Sequence, residues 1–176
     1  MNTTSTKYKK IFWVILGLYS LVNFTLLFFH EQWRDEIHAW LMAKECSIPE
    51  LYTASKFDGH PILWHLILMP FAKLNFPIFT LNIISFVIIL ISTWLFLFKT
   101  EVPFAFKVFS VFSIPFNYTY SVISRNYCLA ILLLVIIAGL YQKRFQNPVL
   151  YSIMIALLIH THALLWGTVA GLTITF

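Results

Sequence analysis

Two adjacent acids, Asp35 and Glu36, are the side chains in this sequence that are best suited to proton chemistry. They lie in the octapeptide WRDEIHAW, beside Arg34 and His38. One carboxylate can act as a general base and the other can orient it, because adjacent acids in a partly dry pocket resist simultaneous ionisation. Arg34 and His38 can offset that repulsion or relay protons. The structural alternative is a helix cap with a first-turn acid, which complements the helix dipole.

The acids of the chain are concentrated in one window around this pair. The sequence has seven Asp and Glu residues, and only Glu101 lies outside the stretch from His30 to His60. Because charge is costly in hydrocarbon, this stretch must lie in water or at a membrane surface. Residues 30–60 are therefore predicted to form the first extracytoplasmic loop and to carry the candidate active site. Its acids are Glu31, Asp35, Glu36, Glu45, Glu50 and Asp58.

Two other short stretches carry candidate binding residues. The sequence DGHP at residues 58–61 is typical of a turn, and it can also return His60 to the same site as a ligand-binding group. Arg125 is followed by Asn126 and Tyr127. In one interpretation it is a plain charge at the membrane interface. In the other interpretation it binds phosphate, since a guanidinium group supplies paired donors that match phosphate oxygens.

The spacing of His160 and His162 does not favour a metal site. Residues i and i+2 of a helix point about 200° apart, so both can ligate one ion only if the helix breaks. Beyond Asp58 the chain has one further acid, Glu101, which leaves no second carboxylate near Arg125 to share a divalent cation. The sequence predicts no bound metal and no cofactor.

The composition is that of an integral membrane protein. Hydrophobic residues make up 60% of the chain and charged residues only 11%, which is too little polar surface for a soluble globule. The net charge of +5 comes from Lys and Arg at the ends of apolar runs. Such residues set membrane orientation, so the charge does not indicate nucleic-acid binding. Cys46 and Cys128 lack metal-ligand spacing and are predicted to be free thiols.

The first apolar run, Ile11 to Phe29, is long enough for one transmembrane helix. A secretory signal is the alternative, but this run is longer than a signal h-region and no small-x-small cleavage site follows it. Lysines before residue 11 put the N-terminus in the cytoplasm and the acidic window outside.

Inside the acidic window, the sequence predicts short helices at the membrane surface. Ile37 and Trp40 recur at helical spacing after Asp35, which can cap that helix. A second short helix is predicted at residues 49–56. Pro61 is predicted to occupy the first position of the helix after that.

Four more apolar stretches precede a basic cluster at residues 142–144. The first is the weak candidate for a span, because eleven residues extend over only about 16 Å of the roughly 30 Å hydrocarbon core. If it is only partly inserted, the basic cluster lies inside and Arg125 lies outside, beside the acidic window. If it spans fully, Arg125 moves inside. The stretches are Ile62 to Ala72, Phe76 to Phe98, Val102 to Val122 and Tyr127 to Tyr141.

These features predict an all-α fold, in which a polytopic bundle of about five transmembrane helices carries interfacial helices in its first outer loop. Because no repeat or flexible linker is visible, residues 1–176 are predicted to form a single membrane domain. The chain stops at Phe176 inside an apolar stretch. We therefore expect a fragment of a longer protein, or a module that needs partner helices.

The order and spacing of several motifs resemble the N-terminal part of a known enzyme family. The resemblance covers Ile11 to about Trp166, and the family is the membrane glycosyltransferases of the GT-C fold, in the group of protein O-mannosyltransferases, aminoarabinose transferases and RgtA/B/C/D-like proteins. The motifs are an outer-loop Asp35-Glu36, a Gly-His-Pro-x-Leu return at 59–63, a Ser-Arg-x-Tyr segment at 124–127, and Thr161-His162.

The resemblance implies an inverting transfer of a sugar from a polyprenyl-phosphate carrier to a glycan, lipid or protein acceptor at the outer face of the plasma membrane. Asp35 matches the catalytic carboxylate, and Glu36 is the adjacent acid. No acid near Arg125 matches the metal-binding acid of some GT-C branches, which favours the metal-independent branches. The implied substrate- or phosphate-binding residues are His60, Arg125, Tyr127 and His162.

Two other functions stay open at this point. A small transporter or proton-coupled subunit would use histidines inside the membrane as relay groups, namely His65, His160 and His162. A non-catalytic assembly protein is the third alternative. Cysteine labelling separates the transferase from the transporter. In a transferase residues 30–60 stay accessible from the outside, whereas in a transporter their accessibility alternates between the two sides of the membrane.

The loop charges give a testable topology. Reporter fusions after Leu74, Lys99, Asn126 and Arg144 should place the N-terminus and Arg144 in the cytoplasm, and Asp35 and Asn126 outside. A cytoplasmic signal from the Asn126 fusion would contradict this topology and would remove Arg125 from the site.

Overall fold

The computed structural model describes residues 6–58 and 60–174, and within these ranges the chain is helical, without a β-strand. Gly59, in the predicted turn at 58–61, lies outside the described residues. The all-α prediction is confirmed. The α-helices, in chain order, are α1 (Thr6–Leu27), α2 (Arg34–Glu45), α3 (Ile48–Asp58), α4 (Leu63–Lys73), α5 (Phe79–Lys99), α6 (Phe104–Val111), α7 (Tyr127–Leu140), α8 (Pro148–Ile159) and α9 (Trp166–Ile174).

Two of the described helices are long and apolar enough to cross a membrane. They are the segment Tyr8–Leu27 of α1 and the whole of α5, Phe79–Lys99. The other apolar helical segments are shorter and cover Tyr127–Lys143, Pro148–Ile159 and Ala163–Ile174. α4 has 11 residues, which matches the predicted short stretch. The two long helices support a membrane location.

The predicted span from Val102 to Val122 is not one continuous helix in the structure. α6 ends at Val111, and a turn of π-helix follows at Pro115–Thr119. Pro115 has no N–H to donate, and the side-chain amide of Asn117 instead donates to the carbonyl of Val111 at 2.7 Å. Pro115 is the sequence signal for this interruption. Such π-helical turns frequently occur beside functional sites.

Two helix starts also differ from prediction. Asp35 is not the N-cap of α2, because that position belongs to Trp33. The carboxylate of Glu36 accepts the backbone N–H of Trp33 at 2.7 Å and so takes the capping role. α4 starts at Leu63, two residues after Pro61, rather than at the proline.

The surface helix predicted after Asp35 is present as α2, and the one predicted at 49–56 is present as α3. Trp40 and Ala43 of α2 are buried, whereas apolar residues at every fourth position are exposed. These residues form an apolar stripe along α2, which is the pattern of a helix that lies on a membrane. They are Trp33, Ile37 and Leu41.

The helices pack so that the loop with the acids is attached firmly to the long helices. α5 packs against both α1 and α7, α2 packs along α4, and α7 packs against α8. Trp40 of α2 belongs to the same apolar core as Leu68 of α4 and Leu133 of α7. Cys128 is also in this core, and both cysteines are free thiols, as predicted.

Candidate functional site

The carboxylate of Glu36 joins the first loop to the segment 124–126. Glu36 is fully buried and accepts the backbone N–H of Ser124 at 2.5 Å and that of Trp33 at 2.7 Å. The ring Nε2 of His30 lies 2.8 Å from the same carboxylate, and the His30 side chain is only 3% exposed. A buried carboxylate is tolerated only with such partners, and these connect two parts of the chain that lie 88 residues apart.

Further hydrogen bonds hold the segment 124–126 from other sides. The side-chain amide of Asn82 in α5 donates to Ser124 Oγ at 3.0 Å, and Gln32 Nε2 donates to Asn82 Oδ1 at 3.0 Å. On the other side, Asn126 Nδ2 donates to the carbonyl of Thr161 at 2.5 Å. The segment is thus fixed to α2, to α5 and to the turn that follows α8.

Arg125 lies between Ser124 and Asn126, which make these hydrogen bonds, and it contacts two predicted site residues. Its Nη1 is 2.9 Å from Asp35 Oδ2, and its Nη2 donates to His60 Nε2 at 2.9 Å. The Asp35 side chain is 56% exposed, against 18% for Arg125. Because Asp35 is so exposed, the ion pair adds little to stability and leaves the carboxylate accessible to a ligand.

Tyr127 and His162 complete the cluster on the other side of Arg125. The His60 and His162 rings are 4.7 Å apart in an edge-to-face arrangement. His162 also stacks on Tyr127 at 5.6 Å, and the guanidinium carbon of Arg125 lies 5.3 Å from the Tyr127 ring centre. Burial lowers the pKa of His162 from its ordinary value of 6.5, and the nearby His60 and Arg125 lower it further.

Two cavities adjoin this cluster. The smaller one, of about 80 Å³, is lined by polar residues that include Asp35, His60 and Arg125. The larger one, of about 500 Å³, is lined mainly by apolar side chains of α3, α4, α8 and α9. Residue 61, which follows His60, and residue 163, which follows His162, both line the larger cavity. An apolar chamber therefore borders the charged cluster.

Five of the six predicted site residues lie in one network of contacts, which contains Asp35, His60, Arg125, Tyr127 and His162. Glu36 occupies a different environment. Its described partners are His30, Trp33 and Ser124, so its geometry suits it to hold the loops together rather than to tune Asp35 by repulsion.

The residues that hold the site together were not predicted from the sequence. Asn82 was detectable, because a lone side-chain amide within an apolar span is costly unless it is bonded. The backbone N–H of Ser124 and the carbonyl of Thr161 carry no sequence signal, since every residue type has them. The other missed residues are His30, Gln32 and the side chain of Asn126.

Within residues 6–58 and 60–174, no group of three His, Cys, Asp or Glu side chains is arranged to hold a metal ion. His162 belongs to the cluster, whereas His160 lines the larger cavity. The two histidines therefore face different surroundings, but α8 ends at Ile159 and His162 is extended, so the helical-spacing argument does not apply to them.

Comparison of the chain with protein-family models, with curated protein sequences and with solved structures finds no match.

The buried carboxylate gives a stability prediction. Glu36→Gln should lower the midpoint of thermal unfolding in detergent, because the amide cannot accept from all three partners, and each unsatisfied buried group costs about 1–3 kcal/mol. Glu31→Gln, at an exposed position of the same loop, is the matched control. Equal midpoints for the two variants would show that the Glu36 contacts do not support the fold.

Proposed function

We propose that this chain is an inverting glycosyltransferase of the membrane, or the N-terminal part of one, which moves a sugar from a polyprenyl-phosphate carrier to an acceptor hydroxyl at the outer face. The observation that carries the proposal is the cluster of Asp35, Arg125 and His60 at the edge of a large apolar cavity. A polar head and an apolar chain on one ligand match these two adjoining environments.

The charged part of the donor would bind at Arg125. A guanidinium group supplies several N–H donors in one plane, so Arg125 can bind phosphate oxygens while it keeps part of its contact with Asp35. Its low exposure makes each charge-assisted hydrogen bond stronger than one at an open surface. His60 and His162 flank Arg125 and supply further polar contacts.

The prenyl chain would occupy the larger cavity. Its walls come from α3, α4, α8 and α9, with Trp166 and Leu66 among the apolar lining residues. Lys56 also lines this cavity, and its ammonium lies 5.0 Å from the ring centre of Tyr52. A cation among the lining residues suits a chain that ends in phosphate.

In the transfer step, Asp35 would accept the proton of the acceptor hydroxyl. The acceptor oxygen then forms a bond to the anomeric carbon, on the face opposite the phosphate, and the bond from that carbon to the phosphate oxygen breaks. The leaving phosphate keeps the electron pair, and Arg125 stabilises the developing charge. A single displacement of this kind inverts the anomeric configuration.

The membrane arrangement that we propose has about five spans in a polytopic bundle of the GT-C type, with a cytoplasmic N-terminus. The outward side of α1 supports it, because Trp13, Val14 and Leu21 are more than half exposed, and so large an apolar surface is favourable in lipid but not in water. The apolar stripe of α2 would then lie in the outer headgroup region, with Asp35 facing the water.

The role of Asp35 predicts a large kinetic effect. In an active, full-length context Asp35→Asn should reduce transfer by roughly 10²–10⁴-fold, which is the range of general-base assistance, and should leave thermal unfolding unchanged. Turnover is measured with purified protein and a lipid-linked donor. Wild-type turnover in Asp35→Asn would rule out Asp35 as the base.

The role of Arg125 predicts a loss of donor affinity. Arg125→Ala should weaken donor binding by about tenfold or more, and Arg125→Lys should recover only part of it, because an ammonium lacks the planar fork of donors. Arg34→Ala, an exposed arginine next to Asp35, is the control and should change affinity little. Chelator should leave activity intact. Unchanged affinity in Arg125→Ala, or activity that requires Mg²⁺, would contradict this mechanism.

A further inference from the structure

The imidazole of His162 is held by the backbone of its own segment. His162 precedes a short 3₁₀ turn at Ala163–Leu165, and the N–H of Leu164 donates to its Nδ1 at 3.1 Å. A backbone amide can only donate, so Nδ1 must keep its lone pair. The ring hydrogen is then on Nε2. Because the two partners are only two residues apart, this contact depends on no ligand and on no distant element.

The surroundings of His162 also keep its ring uncharged. Burial lowers its pKa, and the adjacent His60 and Arg125 act in the same direction. The nearby acid, Asp35, is already paired with Arg125. Protonation at Nδ1 would in addition break the contact with Leu164. The titratable and charged groups of the cluster and of the adjoining cavities are Asp35, His38, Tyr52, Lys56, His60, His65, Arg125, Tyr127 and His160.

The free side of the ring offers a donor at a defined position. In an imidazole the two nitrogens point in widely different directions, so Nε2–H is directed away from the turn that Nδ1 contacts. Stacking on Tyr127 and the edge contact with His60 limit rotation of the ring. A neutral donor of this kind can bind a ligand oxygen without adding a second positive charge to the one on Arg125.

We propose that His162 is an uncharged hydrogen-bond donor, fixed as the Nε2–H tautomer by the Leu164 amide, for an oxygen of the anionic ligand that Arg125 binds. The ligand is an oxyanion of the phosphate-ester type, and its identity as a lipid-linked phosphate rests on the proposed function. His162 is thus neither a second cation nor a general base in this site.

The tautomer is tested without any ligand. Protein labelled with ¹⁵N at histidine is measured by NMR between pH 8 and pH 5, and His162→Gln identifies the resonance. The expected result is a protonated Nε2 and an unprotonated Nδ1 at neutral pH, with the pKa of the ring below the ordinary histidine value of 6.5. The opposite tautomer, or an imidazolium at neutral pH, would overturn the proposal.

The donor role is tested with two matched variants. In His162→Gln the side-chain amide places N–H groups near the position of Nε2, whereas in His162→Asn the side-chain oxygen can replace Nδ1 as the acceptor for Leu164. The probe is a methyl farnesyl phosphodiester in nanodiscs. This diester has no proton dissociation near neutral pH, so its charge stays constant. His162→Gln should bind within about threefold of wild type, and His162→Asn should bind about ten- to hundredfold more weakly. Equal affinities for the two variants would overturn the donor role.

A comparison of two ligand probes separates this proposal from the proposed function. Inorganic phosphate, compared with the farnesyl diester, shows whether the site takes a free anion or a lipid-linked one. Wild-type protein that binds inorganic phosphate but not the diester would contradict the lipid-linked donor, while the variant series with phosphate still decides the role of His162. Wild-type protein that binds neither probe would contradict both.

Discussion

The hydrogen bond from the backbone N–H of Ser124 to the buried carboxylate of Glu36 is the contact on which the site depends. It joins α2, in the first loop, to a segment 88 residues later in the chain. Asp35 directly precedes Glu36 and Arg125 directly follows Ser124, and the side chains of Asp35 and Arg125 pair at 2.9 Å. The carboxylate that holds the loops and the one that is open to ligand are therefore neighbours in sequence with separate tasks. This division explains why two adjacent acids tolerate each other.

Further hydrogen bonds hold the segment 124–126 that makes this contact. Asn82 lies in α5, one of the two long helices, and its bond to Ser124 Oγ fixes the segment to a rigid element rather than to another loop. Asn126 extends the ties to Thr161, next to His162. Charged groups on such a support lose little further entropy when a ligand binds, which is the usual basis of a preorganised site.

The sequence predicted the helical class, most helix positions and five of the clustered site residues. Hydrophobic runs and charge placement carry the information on the helices and on the acidic window, whereas the binding role of His162 came only from the family resemblance. The break after Val111 was not predicted, although Pro115 is a visible signal for it, because a proline inside a helix can either kink or end it and the sequence does not show which. It also gave Glu36 the wrong environment, since only the folded chain brings the N–H of Ser124 to that carboxylate. Contacts through backbone groups leave no trace in residue type.

Amide hydrogen exchange at Ser124 tests the central contact most directly. The account predicts slow exchange of this amide in wild-type protein, and much faster exchange in Glu36→Gln, whereas the amides of α5 remain protected in both. Fast exchange of Ser124 in the wild type, or equal protection in the variant, would contradict the claim that this carboxylate assembles the site.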